Sequence, residues 1–288
     1  MNIGFIGLGI MGESMCENIV KKHDGTVYVS DINRDQVQKL AALGAVACDS
    51  NREVGEKADV IISMVPRSEH VQAVYDELLP VLNSSKICID MSTIDPSVSV
   101  AVAEKVQATG AAFADAPVVK SKPAAISGTL GIYVGCQEEL FPKIQPILAY
   151  MGSNIIRMGE NGKGLVMKVC HNALVAQIQN GVNETLCLAR RFDISPEDFA
   201  TAISYGGGQN FYLDGQWQKL RDRDWTTAFS MQNMHKDLGI CMTLSDETGF
   251  PMPGVANAKA VYDRGLAAGL GREDFRATYK VVEGSEDA

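Results

Sequence analysis

The chain has 288 residues, of which 46% are hydrophobic and 21% are charged, and its formal net charge is −9. This is the composition of an ordinary globular protein, and the length allows one large domain or two smaller ones. An acidic chain repels phosphate backbones, so the charge argues against nucleic acid as a partner. The seven cysteines have no Cys-x-x-Cys spacing, which argues against a disulfide framework and against a metal site.

The start of the chain argues against a targeting segment. Residues 3–6 already have the pattern of a strand, which leaves no room for a signal peptide. No apolar run approaches the roughly 18 residues that a membrane span needs. We therefore expect a soluble cytoplasmic protein without a membrane partner.

The first half of the chain alternates strand patterns with helix patterns. Short apolar runs, typical of strands buried in a parallel sheet, cover Ile3–Ile6, Val27–Val29, Val60–Met64 and Ile87–Asp90, with further candidates at Ala112–Ala114 and Leu130–Val134. Helical patterns lie between them, at Gly12–Lys22, Asp35–Leu43, Ser68–Leu79 and Pro96–Thr109. The alternation predicts an α/β domain with a doubly wound parallel sheet.

From about residue 160 the pattern becomes helical. The stretch from Leu165 to about Arg191 has no proline and one internal glycine, Gly181, and predicts one long helix. The remainder predicts shorter helices and no strand. We therefore expect two domains, an α/β domain at 1–160 and an all-helical domain at 161–288. We expect the acidic tail Glu283–Ala288 to be frayed.

A glycine motif follows the first predicted strand and opens the first predicted helix. It reads Gly7-Leu8-Gly9-Ile10-Met11-Gly12. Gly7 permits a tight turn, Gly9 lets the backbone approach a pyrophosphate, and Gly12 lets the helix pack closely on the strand. The free N–H groups and the dipole of the helix then favour phosphates. The motif predicts a dinucleotide-binding site.

Asp31 stands at the end of the second predicted strand. A carboxylate there accepts hydrogen bonds from the ribose hydroxyls of NAD and repels the 2′-phosphate of NADP. Arg34 follows closely and can weaken that preference. We expect NAD (NADH) as the cofactor in preference to NADP. The alternative, glycines that only make a turn, is disfavoured by the complete βαβ context.

Two further pairs of residues are candidates for chemistry. Ser92 and Thr93 follow the fourth predicted strand, where such sheets bind ligands, and we expect them to contact nicotinamide or substrate; a capped turn is the alternative. Lys168 and Asn172 share one face of the long helix in a largely apolar stretch. A lysine there is costly without a partner or a function, and burial can lower its pKa so that it transfers protons. The alternative is a lysine that reaches solvent and an asparagine that caps a neighbouring helix.

Four motifs occur in order along nearly the whole chain. After the glycine motif come Asp115-Ala-Pro-Val118, Gly162-x-Gly164-x-x-x-Lys168-x-x-x-Asn172 and Lys236-Asp-Leu-Gly239. Together they resemble the β-hydroxyacid dehydrogenase family, which includes 3-hydroxyisobutyrate dehydrogenase. The resemblance implies an N-terminal Rossmann domain, a helical domain, an active site in the cleft between them, and a homodimer or homotetramer.

The resemblance also implies roles for individual residues. Lys168 matches the catalytic lysine of the family and Asn172 its neighbouring substrate-site asparagine. Lys236 matches a lysine that closes over the cofactor, and Val65, Pro66 and Thr93 match cofactor contacts. The implied reaction passes a hydride from NADH to an aldehyde while Lys168 protonates the oxygen. Two non-enzyme alternatives are a dinucleotide sensor, which needs no proton donor, and a scaffolding protein, which needs no dinucleotide.

The chain departs from the family after Asp115-Ala-Pro-Val118. The family usually continues Ser-Gly-Gly, whose N–H groups hold a substrate carboxylate, whereas this chain continues Val119-Lys120-Ser121-Lys122-Pro123. Two lysines around a serine favour an anion clamp, and solvated loop charges are the alternative.

Sulfolactaldehyde reductases also replace Ser-Gly-Gly with basic and hydroxyl residues. This resemblance favours the reduction of a short anionic semialdehyde, 3-sulfolactaldehyde, to 2,3-dihydroxypropane-1-sulfonate. The alternative is a carboxylate substrate, as for 3-hydroxyisobutyrate, tartronate semialdehyde, 2-(hydroxymethyl)glutarate or 4-hydroxybutyrate dehydrogenase.

Overall fold

The computed structural model describes residues 1–284, and its chain divides into two compact units, Met1–Lys168 and the residues from Val169 onward. The sequence predicted a boundary near residue 160. The division falls later, inside a helix, because Leu165 is packed in the core of the first unit. Residues 285–288 of the acidic tail lie outside the described residues. The expected fraying does not begin at Glu283. This residue ends a helix, and its carboxylate pairs with Arg190 at 2.8 Å and with Arg223 at 2.6 Å.

The first unit is built on a single sheet. Its nine strands are β1 (Ile3–Ile6), β2 (Val27–Ser30), β3 (Val46–Ala47), β4 (Val60–Ser63), β5 (Ile87–Asp90), β6 (Ala112–Asp115), β7 (Val118–Val119), β8 (Leu130–Gly135) and β9 (Gly152–Gly159). The strands β3, β2, β1, β4, β5 and β6 are parallel neighbours in that order. The chain therefore turns from one side of β1 to the other, and such a reversal opens a crevice at the carboxyl ends of the strands.

Helices cover both faces of this sheet. They are α1 (Gly12–Lys22), α2 (Arg34–Ala42), α3 (Asn51–Lys57), α4 (Ser68–Leu78), α5 (Pro96–Ala108), α6 (Lys122–Ser127) and α7 (Phe141–Leu148). Successive strand residues belong to opposite cores. Ile62 and Ile89 lie in one hydrophobic cluster, whereas Ile61 and Cys88 lie in the other. Because strand side chains alternate between faces, this division follows directly from the apolar runs of the sequence.

The sequence predicted a parallel sheet, and six neighbouring strands are parallel, but the sheet is not parallel throughout. Asp115 of β6 and Val118 and Val119 of β7 pair with β8 in one antiparallel register, and β9 then pairs with β8 in parallel. The elements β3, α3, β7, α6, α7 and β9 were not predicted. Two of the three missed strands, β3 and β7, have only two residues each, too few for a hydrophobic pattern to be recognised.

The second unit is helical over its described residues. The single long helix that the sequence predicted is α8 (Lys163–Arg190), which begins in the first unit rather than at the start of the second. It is followed by α9 (Pro196–Ser204), α10 (Phe211–Arg221), α11 (Met231–Thr248), α12 (Pro253–Ala267) and α13 (Thr278–Glu283). The main core of the unit includes Val169, Ala173 and Leu238. No helix in the described part of the chain is long and apolar enough to cross a membrane.

Candidate active site

The glycine motif forms the turn between β1 and α1. Gly7 has a φ of +93°, and a Cβ there would overlap the carbonyl oxygen of Met64. A Cβ on Gly12 would overlap the carbonyl oxygen of Gly7. By contrast, a Cβ on Gly9 would have no atom within 4 Å, so the backbone at Gly9 faces open space. The turn is thus tight on its protein side and open where a pyrophosphate would approach, which fits a dinucleotide. Ile10 is exposed beside it, and Leu8 and Met11 complete the turn.

Asp31 directly follows the carboxyl end of β2 and is hydrogen-bonded to the glycine turn. Its Oδ2 accepts the N–H of Leu8 at 2.5 Å, and its Oδ1 accepts the N–H of Asn33 at 2.6 Å. The guanidinium of Arg34 turns elsewhere. It donates to the carbonyl of Cys48 and to Asp49 Oδ1, both at 2.8 Å. The positive charge of Arg34 is therefore partly compensated by Asp49.

A buried hydrogen-bond network links the carboxyl ends of β4 and β5. Asp90 Oδ1 accepts the hydroxyls of Ser63 at 2.8 Å and Ser92 at 2.7 Å, and Ser92 Oγ accepts the N–H of Val65 at 2.9 Å. Ser92 has no exposed surface. The Ser92 hydroxyl is thus engaged within the protein, and its contact with nicotinamide or substrate stays a prediction. Ser92 holds the turn at Val65 and Pro66, the residues expected to contact the cofactor. Thr93, half-buried, follows it.

The predicted anion clamp lies just after β7. Lys120 is exposed and has a φ of +69°, in the left-handed region that glycine favours. Its Nζ donates to the carbonyl of Thr129 at 3.0 Å, which closes the loop that contains α6. Ser121 precedes α6 and is half-buried, and Lys122 is exposed. The structure therefore presents a basic loop at the edge of the sheet where β6 and β7 end.

Asp115 lies at the carboxyl end of β6 and joins it to the start of α8. Its Oδ1 accepts the N–H of Gly162 at 2.6 Å, and its Oδ2 accepts the N–H of Leu165 at 3.0 Å. Burial raises the pKa of Asp115 to about 6. The two hydrogen bonds act in the opposite direction and lower this pKa, but the effect of burial is larger. Lys168 follows within one turn of α8, and only 7% of it is exposed. A buried lysine of this kind is suited to proton transfer.

In the second unit, a buried pair joins α8 to α11. The amide Nδ2 of Asn172 donates to Asp237 Oδ2 at 2.6 Å, and both side chains are buried. Lys236 Nζ lies 3.3 Å from Asp237 Oδ1 and is more exposed. Asp237 thus connects two residues that the sequence singled out, although its own role was not predicted. Its place beside Lys236 in the fourth motif was the available signal.

The carboxyl edge of the sheet gathers most of the predicted site residues of the first unit. The glycine turn, Asp31, Val65, Pro66 and Thr93 follow β1, β2, β4 and β5, which are parallel neighbours. Asn172 and Lys236 belong to the second unit. No group of three His, Cys, Asp or Glu side chains within residues 1–284 could hold a metal ion.

Two family models together match almost the whole chain. The NAD-binding domain of 6-phosphogluconate dehydrogenase matches residues 2–159, and a domain described as NAD-binding of NADP-dependent 3-hydroxyisobutyrate dehydrogenase matches residues 162–282.

The chain is also similar to individual proteins. It is 34% identical to 2-(hydroxymethyl)glutarate dehydrogenase of Eubacterium barkeri, over 98% of this chain and 95% of that one. It is 33% identical to mitochondrial 3-hydroxyisobutyrate dehydrogenase of Drosophila melanogaster, over 98% and 89%. Among solved structures, 3-hydroxyisobutyrate dehydrogenase of Mycobacterium tuberculosis with L-serine has a TM-score of 0.90 at 29% identity, over 98% of both chains.

Proposed function

Because this chain belongs to the β-hydroxyacid dehydrogenase family, we propose that it interconverts a short anionic semialdehyde and its 3-hydroxy acid, with Lys168 as general acid and base. The family assignment makes the protein a nicotinamide-dependent oxidoreductase of CH–OH groups. The observation that carries the proposal is the burial of Lys168 at the start of α8, directly after the contacts to Asp115.

Lys168 performs the proton transfer in this proposal. NADH, when bound, supplies the hydride for the aldehyde carbon. The ammonium of Lys168 stabilises the negative charge that develops on the aldehyde oxygen and then protonates it. In the oxidation direction, neutral Lys168 accepts the hydroxyl proton. Asn172, one turn further along α8, holds the substrate in register and is itself fixed by Asp237 at 2.6 Å.

The proposed cofactor is NAD rather than NADP. Asp31 offers its carboxylate at the end of β2, where it would accept hydrogen bonds from the ribose hydroxyls. The negative charge of Asp31 disfavours a 2′-phosphate. Arg34 gives little relief, because its guanidinium is paired with Asp49 at 2.8 Å.

The proposed substrate carries a strongly anionic group such as a sulfonate, and 3-sulfolactaldehyde is the specific substrate that we propose. Lys120 supports this proposal. An L-residue in the left-handed conformation costs about 1–2 kcal/mol, and such strain persists where function or surrounding structure maintains it. At this position, where the family usually has glycine, a lysine adds a cation that glycine cannot supply. Ser121 and Lys122 add a hydroxyl and a second cation.

A carboxylate semialdehyde is the second candidate substrate, and one observation favours it. The ammonium of Lys120 donates to the carbonyl of Thr129 at 3.0 Å and so serves its own loop. If that bond persists with substrate bound, the N–H groups of the loop are left to hold a carboxylate. The similarity to 2-(hydroxymethyl)glutarate dehydrogenase agrees with this alternative.

The experiment compares NADH oxidation with 3-sulfolactaldehyde and with methylmalonate semialdehyde, as kcat/KM. The clamp predicts a preference of at least about 100-fold for the sulfonate, which corresponds to about 2.7 kcal/mol. Lys120→Ala should then raise KM mainly for the sulfonate. A preference for methylmalonate semialdehyde, or an equal effect of Lys120→Ala on both aldehydes, would reject the clamp and support the carboxylate substrate.

We also propose that the protein assembles as a homodimer or homotetramer. Large apolar side chains of the second unit are exposed on the single chain, among them Leu188, Phe192 and Phe250. Contiguous apolar surface commonly marks an interface, and Leu188 and Phe192 lie four residues apart in the chain. Light scattering during size-exclusion chromatography tests this directly, and a monomer of 31.0 kDa would contradict it.

A further inference from the structure

Asp115 is a buried carboxylate that the proposed chemistry does not use. It has no exposed surface, and both of its oxygens accept backbone N–H groups at the start of α8, from Gly162 and Leu165. The first N–H groups of a helix have no partner within the helix, and a carboxylate there also interacts favourably with the helix dipole. Asp115 therefore attaches the end of β6 to the first turn of α8.

Glycines leave just enough room for this carboxylate. A Cβ on Gly164 would lie 2.7 Å from Asp115 Oδ2 and 2.5 Å from the carbonyl oxygen of Tyr133. A Cβ on Gly135 would overlap Asp115 Oδ1. Backbone therefore approaches the carboxylate from β8 and from α8 at once. Because side chains at Gly135 or Gly164 would push these elements apart, the position of the first turn of α8 is closely defined.

We propose that Asp115 is a positioning residue for Lys168: it fixes the first turn of α8 and thereby sets where Lys168 presents its ammonium. This inference depends on the proposed function of Lys168. Lys168 lies three residues beyond Leu165, about 4.5 Å along the helix axis, so a displacement of the first turn is passed on to it. An error of 1 Å in the position of a catalytic group can cost about 100-fold in rate. The contact joins the second sequence motif, which begins at Asp115, to the third, which begins at Gly162.

The test uses Asp115→Asn, which keeps the shape of the side chain but turns an NH₂ group toward one of the two backbone N–H groups. We expect kcat to fall about 10- to 100-fold, while the dissociation constant for NADH stays within about twofold. Hydrogen–deuterium exchange should speed up in peptides covering 160–168 and stay unchanged in 34–57. Asp115→Ser, which is smaller and keeps one acceptor, replaces Asp115→Asn if that variant does not fold.

Gly55→Ala is the matched control for lost stability. Its added methyl would press on Leu78 and Val81, which are remote from α8 in the sequence. The variant should therefore lower stability without lowering kcat. Lys168→Ala separates the two proposals. A normal kcat in Lys168→Ala would refute the proposed function. A lost kcat in Lys168→Ala together with a normal kcat in Asp115→Asn, or an equal loss in Gly55→Ala, would refute the positioning role alone.

Discussion

The left-handed conformation of Lys120 predicts a measurable difference between two variants that remove the same ammonium. Lys120→Ala and Lys120→Gly both lose the hydrogen bond to Thr129. Only alanine keeps a Cβ at a φ of +69°. That conformation costs an L-residue about 1–2 kcal/mol, whereas glycine loses about 0.5–1 kcal/mol through the greater freedom of its unfolded chain. Lys120→Gly should therefore be the more stable variant by about 0.5–1 kcal/mol.

The assay is urea unfolding of both variants, with a thermal scan in parallel. In a chain of this size the expected difference corresponds to about 1–3 °C in Tm. The two variants should share one KM for an anionic aldehyde, since both lack the cation. An alanine variant at least as stable as the glycine variant would refute the left-handed conformation. A KM that stays at the wild-type value in both would refute the anion clamp.

Three further outcomes follow from other contacts. Asp31→Asn should raise the ratio of kcat/KM for NADPH to that for NADH at least about 10-fold, because the repelling charge is removed; an unchanged ratio would contradict this. Burial raises the pKa of Asp115 to about 6, above its usual value near 4, so the folded protein binds more protons between these values. As pH rises from 4 to 6, wild type should lose up to about 3 kcal/mol of unfolding free energy relative to Asp115→Asn. If the unfolding free energy of wild type minus that of the variant stays constant or rises over this range in urea titrations, the raised pKa of Asp115 is refuted. Asn18→Ala should lower the unfolding free energy by about 1–3 kcal/mol, because Asn18 Nδ2 donates to the buried carbonyls of Ser14 at 2.9 Å and Ala125 at 2.8 Å; a loss under about 0.5 kcal/mol would contradict it.

The central strands were predictable because their burial depends on local sequence. Continuous apolar runs such as Ile3–Ile6 and Ile87–Asp90 are confirmed to the residue. The strand β9 was missed because it alternates little and is mostly exposed or half-buried, with Ser153 and Asn154 near its start. The antiparallel direction of β8 was missed for another reason. Strand direction depends on the path of the chain between strands, which hydrophobic pattern does not record.

The sequence proposes a site most specifically where a residue pattern has one dominant use, as with the glycine spacing and the acidic residue after β2. The structure places these residues at one edge of the sheet, and their roles stay predictions. The sequence assigned no role to Asp115 or Asp237, because their hydrogen bonds are to partners far along the chain, Leu165 and Asn172. The conformation of Lys120 could not be foreseen, since a lysine gives no indication of a positive φ.

Proton transfer by Lys168 is tested most directly by the rate of NADH oxidation by a semialdehyde in Lys168→Ala. Lys163→Ala is the control, since Lys163 is an exposed lysine at the start of the same helix. We expect a kcat at least about 100-fold below wild type in Lys168→Ala, with unchanged NADH binding, and a normal kcat in Lys163→Ala. A near-normal kcat in Lys168→Ala would contradict proton transfer by Lys168.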